Sequence, residues 1–250
     1  MFKDHFSKLA ESYAKYRPHY PPELFQYLAS LCSEHDLAWD CATGNGQAAA
    51  GLAPFFKRIL ATDLSKEQLS QSIPNGKIVY RLASAENSGL ESESVDLITS
   101  ANAAHWFNFE LFYHEVKRVL KSDGKIGLWC YLHSGITKEI DKIAKHYAYE
   151  ILKSYWPPER KYVEEKYQTL PFPFEEIKAP VFKMNLQWNF FNFTGYLKTW
   201  SASQRYLEEK KKDPLDLIKE DLRKSWGEPE TVRTVSWNIH LRIGRLPCQK

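Results

Sequence analysis

The stretch that decides the fold is Trp39-Asp40-Cys41-Ala42-Thr43-Gly44-Asn45-Gly46-Gln47. The apolar run 37–41 predicts a strand, and the small residues at 47–52 predict a helix. Gly44 and Gly46 lie between them, where the chain must turn sharply. Because glycine has no Cβ atom, such a turn can take a positive φ, and a ligand can approach its backbone closely. The stretch therefore predicts a strand, a glycine turn and a helix that border a ligand-binding crevice.

Strands and helices continue to alternate up to residue 131. The pattern predicts a helix at 23–33 before the first strand, then strands at 58–62, 77–81, 95–100 and 124–131, with helices at 66–72 and 109–120. Such alternation with short connections is typical of a parallel sheet that carries helices on both faces.

After residue 133, single strands and helices no longer alternate regularly. Strands are predicted at 181–193 and 231–245, and helices at 137–153, 159–167, 194–200, 203–212 and 214–225. Two late strands joined by helices should add an antiparallel edge to the sheet. The expected fold class is therefore α/β, a doubly wound, seven-stranded, mostly parallel sheet with an antiparallel edge strand and a helical cap insertion.

Composition limits the possible functions. The chain has 250 residues, of which 43% are hydrophobic and 26% charged, and its net charge is +3. These values are ordinary for a soluble globular protein. A nucleic-acid-binding protein usually has a stronger and more clustered basic charge, whereas the one basic run here, 210–212, directly follows two glutamates. We therefore expect a small-molecule ligand and no nucleic acid, in a monomer or a homodimer.

The cellular location and the metal content are predicted from features that the sequence lacks. The N-terminus lacks the apolar core of a signal peptide, and no window approaches the ~20 apolar residues of a membrane span. The four cysteines lie far apart, without the spacing of metal ligands. We expect a cytoplasmic protein with reduced thiols, no membrane contact and no metal.

Two acids indicate which cofactor the crevice takes. Asp63 ends the second predicted strand, nineteen residues after Gly44, where a carboxylate can accept hydrogen bonds from ribose hydroxyls. A nicotinamide dinucleotide fits Gly44-x-Gly46-x-x-Ala49 with Asp63 downstream. Asp40, however, precedes the turn and would repel a pyrophosphate. It would attract the ammonium group and sulfonium of S-adenosylmethionine, so the charge favours that cofactor.

On these residues the chain resembles the class I S-adenosylmethionine-dependent methyltransferases, specifically the type 11 small-molecule group that includes trans-aconitate methyltransferase-like proteins. The resemblance covers about residues 1–135 well and the remainder loosely. It is carried in order by 40–46, Asp63, 83–86 with 94–98, 100–107 and 119–125. Ala42 stands where the family has the first glycine of its motif, which narrows the turn without excluding the ligand.

The resemblance implies particular cofactor contacts, at Asp40, Ala42, Gly44, Gly46, Asp63, Leu64, Ala85, Glu86, Asn102 and Ala103. It also implies that the N-terminal segment 1–22 forms a lid, with Tyr16 and Arg17 near the cofactor and Tyr13 near the acceptor. The alternative for this segment is a helix cap anchored by its prolines. The rest of the single domain divides into a cofactor-binding core at 23–133, a substrate cap at 134–225, and a final strand and tail at 226–250.

The sequence gives a reaction class but no named acceptor. A carboxylate acceptor needs no catalytic base, whereas a hydroxyl, phenol or amine must lose a proton. His105 follows the fourth strand and is the candidate catalytic residue, although it could equally fix its loop. Expected acceptor-lining residues are Trp106, Trp129, Tyr131, Trp156 and Trp200. The expected activity is methyl transfer to a small carboxylate or hydroxyl compound. The alternatives are a nicotinamide-dependent oxidoreductase and a non-catalytic cofactor-binding module.

Overall fold

The computed structural model describes residues 15–247. The expectation for Tyr13, and for most of the lid segment 1–22, therefore falls outside the described residues.

Nine strands form among residues 15–247. They are β1 (Leu37–Cys41), β2 (Arg58–Asp63), β3 (Ile78–Leu82), β4 (Val95–Ala101), β5 (Leu120–Cys130), β6 (Ser134–Gly135), β7 (Glu175–Ile177), β8 (Phe182–Trp188) and β9 (Arg233–Arg245). The first five are parallel in the order β3-β2-β1-β4-β5, and β9 lies antiparallel beside β5. The predicted α/β fold with a mostly parallel sheet and an antiparallel edge is confirmed.

Helices cover both faces of this sheet, and several of them lie in the segment between β6 and β9. They are α1 (Pro22–Ser30), α2 (Gln47–Leu52), α3 (Lys66–Ser70), α4 (Phe109–Val119), α5 (Lys138–His146), α6 (Arg160–Glu164), α7 (Phe190–Lys198), α8 (Ser201–Lys210) and α9 (Lys219–Trp226). A single 3-10 turn, Ala104–Trp106, connects β4 to α4. None of the helices in the described part of the chain is both long and apolar enough to span a membrane.

The long strand β9 extends the sheet in two ways. Its second half pairs with β5 on one side and β7 on the other, and its first half pairs with β8 and β6. The sequence predicts seven strands, and the structure adds the short strands β6 and β7. Two or three residues are too few to give a visible alternation of apolar and polar side chains.

One predicted strand is too long. The sequence predicts a strand over 181–193, but β8 ends at Trp188 and α7 begins at Phe190. The Asn189 side chain accepts a hydrogen bond from the Asn192 backbone N–H at 3.0 Å, and the Asn192 side chain accepts one from the Asn189 N–H at 3.2 Å. This reciprocal cap starts a helix in a run of aromatic residues that otherwise resembles a strand.

The sheet separates two hydrophobic cores. One contains α1, α2 and most of the aromatic side chains of the segment 134–225, including the buried Phe193 and Tyr196. The other lies under α4 and contains Phe112, Val116 and Tyr167. Strands β1 and β4 are buried almost completely, as expected for parallel strands covered on both faces. Because both faces are packed, the open position for a ligand is the carboxyl edge of the strands.

Candidate active site

A cavity of about 500 Å³ lies at this carboxyl edge. Each of the five parallel strands contributes lining at or just after its last residue, in the order Ala42, Asp63, Ala83, Ala101 and Tyr131. The segment 134–225, which we call the cap, adds 157–159 and Arg205 from the opposite side. The cavity therefore lies between the carboxyl edge of the sheet and the cap.

The glycine turn borders this cavity with unusual backbone angles. Ala42, Gly44 and Gly46 have φ values of +53°, +59° and +87°. Ala42 and Gly44 line the cavity, whereas Gly46 packs against Tyr80 and does not. An alanine in the left-handed region is strained, so the surrounding structure must hold Ala42 there. The turn thus presents backbone to the cavity at the place where the sequence expects a ligand.

Asp40 lies inside the protein, outside the set of residues that line the cavity. Its carboxylate accepts hydrogen bonds from the hydroxyls of Thr43 and Thr99, the latter at 2.8 Å, and from the Ala49 N–H at 3.1 Å. Burial raises the pKa of Asp40 to about 6, and these hydrogen bonds oppose the shift. Asp40 therefore holds the turn in shape. This position does not agree with the expected direct contact with a cofactor.

Asp63 lines the cavity and is tied to two backbone amides. Its Oδ2 accepts from the Gly44 N–H at 2.8 Å, and its Oδ1 accepts from the Ser65 N–H at 2.9 Å. Leu64, which follows it, lines the cavity with 44% of its surface exposed. The carboxylate is thus held in one orientation at the edge of the cavity.

The other expected cofactor residues lie on the same wall. Ala85, Glu86, Asn102 and Ala103 all line the cavity. Glu86 Oε1 accepts from the Asn108 N–H at 3.2 Å, which ties this loop to the start of α4.

Two lining residues carry unused hydrogen-bond acceptors. Asn102 has φ +55° and donates its N–H to the Trp129 carbonyl at 2.7 Å, while its Oδ1 is buried without a partner among residues 15–247. Gln47 Oε1 is buried without a partner in the same range. Leaving a buried acceptor unpaired costs about 1–3 kcal/mol. A ligand with an ammonium group and hydroxyls supplies the missing donors, so S-adenosylmethionine fits the chemistry of this cavity.

A second cavity of about 90 Å³ adjoins the first and shares Arg17, Asn102, Trp106, Tyr131 and Pro157 with it. Its remaining lining consists of His105, Leu132, His133, Trp156, Arg160, Val163, Tyr196, Trp200 and Ser201. Of the lining residues in the described part of the chain, two are arginines and none is an aspartate or glutamate. The second cavity is therefore aromatic and electropositive.

Arg17 connects the N-terminal side of the site to the cap. It is only 9% exposed, and its guanidinium donates to the Tyr131 hydroxyl at 3.2 Å and to the Thr199 carbonyl at 3.1 Å. Tyr16 lies elsewhere: it lines neither cavity, and its ring packs on the α7 backbone at Gly195, where an added Cβ would come within 2.6 Å of it. The sequence expects both residues at the cofactor, and the structure brings only Arg17 to the site.

His105 sits on the turn after β4 and lines the second cavity. Its Nδ1 lies 2.9 Å from the hydroxyl of Tyr167. Burial first, and the charge of Arg160 second, lower the pKa of His105 to about 3. His133, on the same cavity, has its pKa lowered to about 4 by burial first and then by Arg160. Both imidazoles are therefore neutral at pH 7.

The expected acceptor-lining residues divide into two groups. Trp106, Tyr131, Trp156 and Trp200 line the second cavity. Trp129 does not: it is completely buried, and its ring meets that of Tyr20 edge-on at 5.5 Å. Trp129 lies within β5, whereas Tyr131 directly follows the last residue of the strand, so Trp129 is held in the core and Tyr131 reaches the carboxyl edge that borders the site.

Sequence reasoning misses the polar residues that the cap contributes. Arg160 stacks on Trp156 with its guanidinium carbon 3.4 Å from the ring centroid, and its Nε donates to Glu164 at 2.9 Å. An arginine four residues after a tryptophan, beyond two prolines, is the signal that could have identified it. His133 and Tyr167 carry no comparable signal. No group of three or more histidine, cysteine or acidic side chains suited to a metal ion occurs within 15–247.

Comparisons with known proteins agree with this geometry. The model of a family described as a methyltransferase domain matches residues 39–128. A proposed methyltransferase of Dictyostelium discoideum is 37% identical over 229 residues, which cover 90% of this chain and 87% of that protein. A proposed S-adenosylmethionine-dependent methyltransferase of Saccharomyces cerevisiae is 29% identical over 57% of this chain and 52% of its own length.

A solved structure from Anaeromyxobacter dehalogenans, described as a proposed type II methyltransferase, superposes with a TM-score of 0.85. It is 39% identical and covers 92% of this chain and 99% of its own. These relatives decide against the nicotinamide-dependent oxidoreductase and the non-catalytic module. The chain belongs to the class I methyltransferases, enzymes that use S-adenosylmethionine as their cofactor.

Proposed function

We propose that this enzyme methylates a carboxylate oxygen of a small molecule. The observation that carries the proposal is the charge of the second cavity, where Arg17 and Arg160 face a space without acidic lining residues among those described. An anionic acceptor is attracted there, and an ammonium-bearing acceptor is repelled. The volume of about 90 Å³ favours a small acceptor, or the reacting end of a somewhat larger one.

The larger cavity would hold the cofactor. Asp63 would accept from the ribose hydroxyls, Asn102 and Gln47 would accept from the ammonium group, and Arg17 would bind the cofactor's carboxylate or that of the acceptor. Leu64, Ala85 and Glu86 would border the adenine ring, with Ala103 beside the methionyl part. When bound, S-adenosylmethionine supplies an electrophilic methyl group on a sulfonium.

The protein's own contribution is then position and charge. After burial, the positive charge of Arg160 is the second cause that lowers the pKa of both His105 and His133, so this charge acts on two residues that line the second cavity. Its Nε is used by Glu164, so the terminal nitrogens of the guanidinium are the atoms that would bind an anion. Holding two reactants in line can supply roughly 7–11 kcal/mol of the barrier reduction.

A hydroxyl acceptor is the second candidate. His105 is neutral at pH 7 and lines the cavity, so it could take the proton that a hydroxyl must lose. A carboxylate has no such proton, which makes it compatible with a site whose histidines are held neutral by burial.

The test is turnover with matched acceptors. Release of S-adenosylhomocysteine is measured for small carboxylic acids and for the amides, alcohols and amines of the same skeleton. The acids should react fastest, and Arg160→Gln should lower their kcat/KM by about 10- to 100-fold, as for a lost hydrogen bond to a charged group.

The matched control is Lys57→Gln, which removes an exposed cation that precedes β2 at the opposite edge of the sheet. It should leave kcat/KM unchanged. Amines that react faster than acids, or an Arg160→Gln enzyme as active on acids as the wild type, would overturn the carboxylate proposal. Membership in the trans-aconitate-like group, a cytoplasmic location and a monomeric or homodimeric state stay predictions of the sequence.

A further inference from the structure

Tyr167 is a cap residue in an unusual position. It follows α6, adopts a φ of +60° and is completely buried. The Arg242 guanidinium donates to its carbonyl oxygen at 3.1 Å, and its hydroxyl lies 2.9 Å from His105 Nδ1. A large side chain in the left-handed region is strained, and such strain persists only where the surroundings impose it. The surroundings here place the hydroxyl against one nitrogen of His105.

Counting donors and acceptors shows which atom holds the proton between them. A phenol has one O–H to donate, and a neutral imidazole has one donor and one acceptor nitrogen. Among residues 15–247, the Tyr167 hydroxyl has no side-chain partner except His105 Nδ1. If Nδ1–H donated to the phenol oxygen, the buried O–H of Tyr167 would lack an acceptor, at a cost of about 1–3 kcal/mol.

The opposite arrangement pairs the buried O–H of Tyr167 and leaves only the imidazole N–H to find its acceptor in the second cavity. If the Tyr167 O–H donates to Nδ1, the imidazole proton lies on Nε2, the nitrogen without a partner among the described residues. Burial raises the pKa of Tyr167 well above its usual value, so the phenol stays protonated at neutral pH and its buried O–H must find an acceptor.

We propose that Tyr167 is a positioning residue that fixes His105 as its Nε2–H tautomer, so that His105 donates a hydrogen bond into the second cavity. The role of that donor rests on the proposed function: it would orient a carboxylate acceptor between Nε2 and the arginines. In this tautomer the nitrogen that faces the cavity has no lone pair for a proton. His105 is then an orienting donor and does not serve as a base.

The tautomer can be measured directly without an acceptor. Long-range proton–nitrogen correlation NMR spectra of histidine-labelled protein distinguish a bare ring nitrogen from a protonated one. In the wild type, Nδ1 of His105 should be bare and Nε2 protonated. In Tyr167→Phe, which removes one oxygen atom, the two nitrogens should shift toward a mixture of tautomers. A protonated Nδ1 in the wild type would overturn the proposal, whether or not the variant folds.

The matched control is Tyr113→Phe. That hydroxyl is also buried under the cap, but it donates to the Pro171 carbonyl and does not touch His105. The control should leave the His105 signals unchanged. A Tyr167→Phe spectrum identical to the wild-type spectrum would show that Tyr167 does not set the tautomer.

Turnover measurements distinguish a failure of the tautomer proposal from a failure of the carboxylate proposal. Tyr167→Phe should lower kcat for acids by about tenfold and leave the affinity for S-adenosylmethionine unchanged. If acids fail as acceptors and the spectrum still shows Nε2–H, the carboxylate assignment is wrong and the tautomer stands. If acids react and the spectrum shows Nδ1–H, the role of Tyr167 is wrong and the carboxylate assignment stands.

Discussion

The Asp63 carboxylate accepts a hydrogen bond from the Gly44 N–H at 2.8 Å, and this contact joins the end of β2 to the glycine turn after β1. The same carboxylate accepts from Ser65 through its other oxygen. One side chain therefore shapes two loops that both line the cavity. Because Asp63 is fixed from two sides, its carboxylate has a defined direction at the edge of the cavity, and a defined direction is the condition for selective binding of a ribose diol.

Asp63→Asn should weaken S-adenosylmethionine binding by about 10- to 100-fold, because hydrogen bonds to a charged group are worth roughly 1.5–3 kcal/mol. The side-chain amide of the new asparagine would also place an N–H group against one of the backbone N–H groups from which the carboxylate accepts. Isothermal titration calorimetry measures the change in Kd.

The control for this variant is Asp36→Asn, which neutralises a half-exposed acid that pairs with Lys57 away from the cavity. It should bind the cofactor as the wild type does. A folded Asp63→Asn protein with affinity within twofold of the wild type would refute the assignment of Asp63.

Alanine at the two glycines of the turn should have unequal effects. At Gly44 the new Cβ has room, since its nearest neighbour is Gln68 Oε1 at 3.7 Å, and only the left-handed φ costs about 1–2 kcal/mol. At Gly46 the Cβ would lie 2.2 Å from the Tyr80 hydroxyl, so the loss of stability should reach roughly 2–5 kcal/mol. Denaturant unfolding measures both values, and equal losses would contradict this packing.

His105 should make the free energy of unfolding depend on pH. Its folded pKa of about 3 lies below the usual 6.5, so only the unfolded state binds this proton between those values. Stability must therefore fall as the pH falls from 6.5 toward 3. Between pH 7 and 5 the contribution is about 2 kcal/mol.

The measurement compares wild type with His105→Gln, whose amide oxygen can still accept from Tyr167. The variant should lack that part of the pH dependence, because other titrating groups cancel in the difference. Parallel stability curves for the two proteins over this range would show that His105 is not held neutral in the folded state.

Substitutions of Trp129 and of Tyr131 should have different effects, although the two residues are only two positions apart in the sequence. Trp129→Phe should lower stability by about 1–3 kcal/mol and leave the KM for the acceptor unchanged, because Trp129 lies in the core. Tyr131→Phe removes the hydroxyl that accepts from Arg17 at 3.2 Å, so it should raise KM for cofactor or acceptor with little loss of stability. Steady-state kinetics and unfolding curves decide, and a reversed pattern would contradict the positions of the two rings.

Most strands of the sheet could be predicted because the pattern that identifies each strand lies within a few consecutive residues. Apolar runs such as 37–41 and 95–101 are buried on both faces, so their pattern is continuous and their ends are marked by turns. Gly44 and Asp63 were predictable for the same reason, since each lies directly after a strand and such positions meet at one edge of a parallel sheet.

The acceptor side could not be predicted in the same way. Arg160 and Tyr167 lie on the cap, some 55 to 62 residues after His105, and reach it only through packing of separate elements. Asp40 shows that the charge of a residue does not by itself identify a ligand contact. Its negative charge favours a cationic ligand, but the side chain is buried and its carboxylate accepts hydrogen bonds from Thr43, Ala49 and Thr99.

The central claim is methyl transfer to a carboxylate at the electropositive end of the site. It is tested most directly by supplying S-adenosylmethionine with an isotopically labelled methyl group, together with small carboxylic acids and their alcohol and amine counterparts, and by identifying the labelled product by mass spectrometry. The label should appear as a methyl ester that alkali hydrolyses, and Arg160→Gln should suppress it. Label found only in alkali-stable N-methyl or ether products would contradict the account.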